Sequence, residues 1–184
     1  AEILAQECRE AGRNLQSLSS AEREEILMNI AAEIDDRQQE ILAVNALDVE
    51  KAQRGESGSI SLPNLKRLQL TAEKLEVLSA GIRSVARQKE PVGALQSRTE
   101  LSDGLVLDKI SCPIGVLLVI FESRPDCLPQ IASLAIRSAN GLLLKGGKEA
   151  ELSNSMLADL ISGVIEKTTE GKVSGSAVSL VKSR

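Results

Sequence analysis

Apolar residues recur at alternating steps of four and three from Leu4 through Cys8, Ala11 and Leu15 to Leu18, which places them on one face of an α-helix. Ser19 with Glu22 reads as a capping box opening a second helix, whose Ile26, Leu27, Ile30, Ala31 and Ile34 share a side. Asp36 with Gln39 repeats that signal and predicts a third helix over residues 37–53, with Ile41, Val44 and Asp48 on one side, ending at the flexible turn Gly55-Glu-Ser-Gly-Ser59. After Pro63 a short helix holds Leu65 and Leu68, and Thr71 caps a longer one in which Leu75, Leu78, Ile82 and Val85 line up. Residues 1–90 are thus expected to form a helical region.

Pro91-Val-Gly93 breaks the pattern, and the alternation from Leu105 to Ser111 predicts a half-exposed strand. Ile114 to Ile120 is apolar at nearly every position, as expected of a strand covered on both faces in a parallel sheet. Pro125 to Ala139 reads as a helix burying Leu128, Ile131, Leu134, Ala135 and Ile136, with Pro129 in its first turn and Asn140-Gly141 as a left-handed stop. Then follow a strand from Leu142 to Lys145, a turn at Gly146-Gly147, a helix from Leu152 to about Lys167 and a strand from Ala177 to Val181. The β-α-β-α-β order makes residues 91–184 the first part of a doubly wound α/β domain. Such sheets usually have about five or six strands, so the expectation is of a fragment.

Composition removes several function classes. The chain of 184 residues carries 42% hydrophobic and 26% charged residues, an ordinary globular balance, and its net charge of −4 argues against a nucleic-acid partner. Phe121 is the single aromatic residue, which leaves no base-stacking platform. No apolar run approaches membrane-spanning length, and with no signal visible the cytosol is the default compartment, a mitochondrial or plastid one requiring an upstream address. The absence of His excludes His-dependent triads and imidazole proton shuttles, and Cys8, Cys112 and Cys127 lack metal-ligand spacing. No metal is expected, and all three cysteines read as small buried hydrophobes. The dipole of the helix that follows is the one influence that would lower the thiol pKa of Cys127.

The chemistry gathers at two strand ends. In an open parallel sheet, ligands settle beyond the carboxyl ends of the strands, where helix N-termini favour phosphate. Lys145-Gly-Gly-Lys148 offers two ammonium groups around a bend that a ligand can approach; an equally weighted reading is a helix-opening turn with solvated lysines. A Walker A loop is excluded because Glu149 stands where a hydroxyl is needed, and no Gly-x-Gly-x-x-Gly follows the first strand. In Phe121-Glu-Ser-Arg-Pro125, Ser123 either meets a ligand or caps the next helix, with capping favoured, and Arg124 either meets an anionic substrate or pairs with Glu122. Asn45 and Asp48, three apart on a helix, either face a polar substrate or border the helix; Arg67 is similarly open.

Two blocks, Ser111-Cys-Pro-Ile-Gly-Val-Leu-Leu-Val-Ile-Phe-Glu-Ser-Arg-Pro-Asp126 and residues 131–150 with Lys145-Gly-Gly-Lys-Glu149, resemble the γ-glutamyl phosphate reductases. The closest likeness is to the reductase module of bifunctional Δ1-pyrroline-5-carboxylate synthases, and Leu18-Ser-Ser-Ala-Glu-Arg23, Asn45-Ala-Leu-Asp48, Leu65-Lys-Arg-Leu-Gln-Leu-Thr71 and Pro91-Val-Gly93 extend it across the chain. The resemblance implies a modified Rossmann cofactor domain of aldehyde dehydrogenase type, a separate catalytic domain absent from this chain and a small oligomerisation element. It implies reduction of γ-glutamyl phosphate by NADPH to glutamate γ-semialdehyde, through attack of a cysteine thiolate and hydride transfer to the thioester. It places Lys145 at the adenosine ribose, Lys148 where a cation favours the 2′-phosphate of NADP(H), Glu122 to Pro125 around the nicotinamide and the nucleophile, with Phe121 also on the cofactor side, and Ser123 near an oxyanion-donor position of another residue type. By the same likeness the nucleophile lies beyond Arg184, so this stretch alone is expected to be inactive. A glutamate kinase module and further copies of the same chain are the implied partners; a non-catalytic assembly role and a dehydrogenase acting on another acyl group are the alternatives.

Overall fold

The computed structural model describes residues 2–56 and 60–181; residues 57–59 of the glycine–serine turn lie outside the described residues. Five helices come first: α1 (Glu2–Ser17), α2 (Ser20–Asp36), α3 (Gln38–Gln53), α4 (Leu62–Leu68) and α5 (Ala72–Ala86). Local chemistry sets most of their ends. The Ser19–Glu22 box is formed, with the Ser19 amide donating to Glu22 Oε2 over 2.7 Å, and Thr71 caps α5 by accepting from the Lys74 amide. The expected Asp36–Gln39 box is not formed. Asp36 stays in α2, and Arg37 joins α2 to α3 without a side-chain cap, its guanidinium pairing instead with Glu40 at 2.8 Å.

An antiparallel hairpin, β1 (Leu95–Ser102) and β2 (Leu105–Ile110), follows. It is a two-stranded sheet of its own, turned at Asp103-Gly104 with Gly104 at φ 72°. The half-exposed strand expected at 105–111 is exposed throughout, as is its partner. The hairpin leaves Leu95, Leu101, Leu105, Val106, Leu107 and Ile110 more than half exposed, between 51% and 59%.

The parallel sheet has the order β3 (Val116–Ile120), β4 (Gly141–Lys145), β5 (Val178–Leu180), in simple sequence order. α6 (Cys127–Arg137) and α7 (Glu151–Thr168) make the two crossovers. Two successive right-handed crossovers in one direction put both helices on the same face, where they pack with α2 and α5 in one core that includes Leu128, Ile136, Leu157, Ile161, Leu142 and Leu144. α1 packs on β4 from the opposite face. There the helix and strand backbones meet through paired glycines: a Cβ on Gly12 would come within 3.0 Å of the Gly141 amide nitrogen, and one on Gly141 within 2.7 Å of the Cys8 carbonyl oxygen. Gly141 is therefore a packing glycine in a strand; the left-handed stop of α6 is Ala139, at φ 54°. Asn140 ties the start of β3 instead, accepting from the Gly115 amide at 2.8 Å.

Two burial expectations change. Among the described residues β3 lies at the edge of the sheet, and nothing covers the face that carries Leu118 and Ile120, which are 59% and 66% exposed. Leu134 on α6 is 54% exposed. A polar knot fastens the helices: Arg23 and Arg137, both buried, converge on Glu90, with Arg23 at 2.9 Å, while Arg137 also donates to Ser20 Oγ at 3.0 Å and to the Gln88 carbonyl.

Candidate functional site

The register of the parallel sheet brings the two suspected loops side by side. Ile120 pairs with Lys145, and the Phe121 amide donates to the Lys145 carbonyl at 3.0 Å, so the chain leaves β3 and β4 at one carboxyl rim. Phe121 to Arg124 and Lys145 to Lys148 are thus neighbours. Phe121, Lys145, Gly146 and Gly147 are half-buried; Glu122, Arg124 and Lys148 are exposed. Lys148 opens a short 3-10 turn, Lys148–Ala150, that leads into α7.

Ser123 does not cap α6. Asp126 stands at that helix's N-cap without a side-chain cap bond, whereas Ser123 is buried, left-handed at φ 52°, and donates both its amide and its hydroxyl, the latter at 2.9 Å, to Glu149 Oε1. An oxyanion approaching Ser123 would have to displace that carboxylate. Arg124 pairs with Asp126 at 3.2 Å rather than with Glu122. The glycines of the bend are explained from within the protein: a Cβ on Gly146 would lie 2.2 Å from Asn154 Nδ2, and one on Gly147 would lie 2.3 Å from the Glu149 carboxylate oxygens. Glu149 carries a role that short-range patterns do not show, because its partner Ser123 lies across the rim, 26 residues away in sequence.

Asn45 and Asp48 lie beneath the same bend, as braces. Both are 2% exposed. Asn45 accepts from the Leu70 amide at 2.8 Å and donates to the Leu68 carbonyl and Ser153 Oγ, at 3.0 and 3.1 Å. Asp48 accepts from the amides of Leu152 and Ser153, at 3.2 and 2.8 Å, and from Ser153 Oγ at 2.7 Å. These are the second and third amides of α7, so a carboxylate on α3 caps another helix, where the helix dipole also favours it. Arg67 stands apart, exposed in the last turn of α4. Two surface cavities among the described residues lie off the rim, one between α3 and the α4–α5 connection and one between α2 and α7.

None of the cysteines combines a rim position with thiolate character. Cys8 is buried against β4 and burial pushes its thiol up to about 11. Cys127, half-buried at the start of α6, is raised by burial and by the neighbouring Asp126, against the lowering expected from the helix dipole. Cys112 is exposed rather than buried and precedes the amino end of β3, the end away from the rim. Among the described residues no group of His, Cys, Asp or Glu is arranged to hold a metal ion, and no helix is long and apolar enough to cross a membrane.

Known proteins of the same make-up agree along the whole chain. No family model matches it. A Δ1-pyrroline-5-carboxylate synthase of Mesembryanthemum crystallinum is 48% identical over 182 residues, 98% of this chain and 24% of its own length. A γ-glutamyl phosphate reductase of Synechococcus elongatus is 40% identical over 183 residues, spanning 41% of its length. The crystal structure of γ-glutamyl phosphate reductase from Saccharomyces cerevisiae superposes with a TM-score of 0.90 at 35% identity, over 99% of this chain and 46% of that one. Aldehyde dehydrogenases of much lower identity share the fold alone. The chain therefore spans less than half the length of the relatives it matches, and over nearly all of its own length it is homologous to part of the γ-glutamyl phosphate reductases and Δ1-pyrroline-5-carboxylate synthases.

Proposed function

We propose that the protein carrying this chain reduces γ-glutamyl phosphate to glutamate γ-semialdehyde with NADPH, a step of proline biosynthesis, and that this stretch supplies the cofactor side of the site. The observation that carries the reading is the meeting of the β3 and β4 loops at one carboxyl rim, with Lys145 ending β4 and Lys148 opening the following turn, in a chain 40% identical to a named reductase. A dinucleotide fits this donor set, since two cations beside a helix-opening turn answer the charge of its phosphates. When bound, NADPH supplies hydride. Lys145 and Lys148 would hold the adenosine ribose and its 2′-phosphate, and Phe121, Glu122, Gly146 and Gly147 would shape the wall. Arg124, exposed on the loop after β3, would be the cation for an anionic substrate, whereas Arg67 lies away from the rim and is left out of this reading, and Asn45 and Asp48 act beneath the site. The nucleophile would be drawn from another segment, since Cys8 is buried against β4, Cys112 lies at the end of β3 away from the rim, and Cys127 is half-buried at the start of α6 with its thiol raised by burial and Asp126.

Titration of the full natural protein with NADPH and NADH, read by nicotinamide fluorescence, tests this. Lys148→Glu is expected to weaken NADPH by roughly tenfold to a hundredfold, the loss of one charge-assisted contact, and NADH far less. Equal affinity for the two dinucleotides in the wild type would refute the NADP(H) preference, and no turnover of γ-glutamyl phosphate would leave the dehydrogenase acting on another acyl group.

A second reading, assembly, is favoured by the β1–β2 hairpin. Its six large apolar residues exposed beyond half are the kind of patch that protein–protein contacts cover. We assign to it contact with another copy of the chain; a kinase module is the further partner implied by the relatives' bifunctional relationship.

A further inference from the structure

We infer that Glu149 is a positioning residue of the rim, a clasp that fixes the loop after β3 to the turn after β4. The inference rests on the proposed cofactor site for its functional consequence and on geometry alone for the clasp itself. Three non-glycine residues are left-handed among the described residues: Ser123, Ala139 and Glu170. Ala139 and Glu170 each lie just past the end of a helix, α6 and α7, where a left-handed residue is the common way to stop. Ser123 has no such explanation. A β-carbon crowds the backbone in that conformation, so the conformation persists only where its surroundings hold it.

Glu149 is what holds it. One carboxylate oxygen, Oε1, accepts from the Ser123 amide and from its hydroxyl. These are charge-assisted bonds to a residue that is 5% exposed, where an unpaired amide would find little water. The carboxylate reaches that position by folding over Gly147, which only glycine permits, as any Cβ there would stand 2.3 Å from its oxygens. Ser123, Gly147 and Glu149 therefore form one unit joining residues 26 apart in sequence. The unit sets the gap between the two loops between which the dinucleotide is proposed to lie. With Oε1 engaged and a negative charge unsuited to phosphate, Glu149 acts through Ser123 and not by touching the cofactor.

The test uses the full natural protein and three variants, Glu149→Ala, Glu149→Gln and Gly147→Ala. Hydrogen–deuterium exchange at the Ser123 amide is expected to speed up tenfold or more in Glu149→Ala and in Gly147→Ala, where the added methyl expels the carboxylate. Glu149→Gln, which keeps a carbonyl acceptor, should fall between, and amides of β4 should not change. The dissociation constant for NADPH should rise several-fold in the first two variants with Lys145 and Lys148 intact. Unchanged Ser123 exchange in Glu149→Ala and Gly147→Ala would overturn the clasp; faster exchange with unchanged NADPH affinity would overturn the positioning role. A wild type that binds no dinucleotide, with Ser123 exchange still accelerated in the variants, would refute the cofactor reading while supporting the clasp.

Discussion

Replacing Asp48 by alanine should destabilise the protein by about 3–4 kcal/mol, the sum of a lost helix cap and of buried donors left unpaired. The side chain is 2% exposed and accepts three hydrogen bonds, two from α7 amides and one from Ser153 Oγ. Loss of a helix N-cap costs about 0.5–2 kcal/mol. Each buried donor left without a partner adds about 1–3 kcal/mol, and Ser153, at 1% exposed, has no water to turn to; water entering the vacated space beside Leu152 recovers part of the sum. The loss is a large share of a total stability of about 5–15 kcal/mol. Asp48→Asn keeps an acceptor for the α7 amides and should cost only about 1–2 kcal/mol. Equilibrium urea unfolding followed by far-UV circular dichroism measures the loss. A cost below about 1 kcal/mol for the alanine variant, or a loss confined to substrate affinity with stability intact, would refute the bracing role and return Asp48 to the substrate.

Three further outcomes are expected. N-ethylmaleimide at pH 8 should label Cys112 first and Cys8 last, since Cys8 is buried with its thiol pushed up to about 11; peptide mass spectrometry over time checks the order, and early labelling of Cys8 would contradict the seating of α1. Charged substitutions in the hairpin, Leu101→Lys with Val106→Lys, should lower the assembled mass seen by light scattering while changing the unfolding free energy of the dissociated chain by no more than about 0.5 kcal/mol, as for surface changes; unchanged mass would refute the hairpin contact. Burial alone would raise the pKa of Glu90, but the Ser20 hydroxyl, the Val92 amide and Arg23 together hold it below its ordinary 4.5. A depressed carboxyl group contributes stability that is present above about 4.5 and lost as pH falls through the lower folded value. Glu90→Gln should therefore flatten the acid limb of a stability–pH curve below that point, and an unchanged limb would count against the knot.

The parts of the fold written in short-range chemistry were readable from the residues. The Ser19–Glu22 box and the Thr71 cap each span three residues, and the helices they open lie where periodicity places them. Asp36–Gln39 misled because charge pairing of Arg37 with Glu33 and Glu40 lets α2 run almost directly into α3. β1 was missed although Asp103-Gly104 marks the turn between two alternating segments. The apolar run at Ile114–Ile120 showed that a strand is there, but an edge position depends on which strands sit beside it, which no local pattern records. At the rim, Lys145-Gly-Gly-Lys148 was conspicuous while Glu149 was noted only as the residue that spoils a Walker A loop. Asp48 meets α7 at a sequence separation of 104, beyond the reach of any motif, so its carboxylate looked as fit for a substrate as for a helix end.

The seat that α1 takes on β4 also sets a timetable for making the protein. Cys8 finds its acceptor, the Ala177 carbonyl, 169 residues downstream. Chains grow at roughly 5–20 residues per second, so the first helix waits on the order of ten seconds or more after leaving the ribosome before its floor exists. During that interval the stripe of Cys8, Ala11 and Leu15 has no native cover. A nascent-chain chaperone would have that stripe to protect, and larger side chains at Gly12 or Gly141 should reveal themselves as poor yield during synthesis before any defect of the finished molecule can be measured.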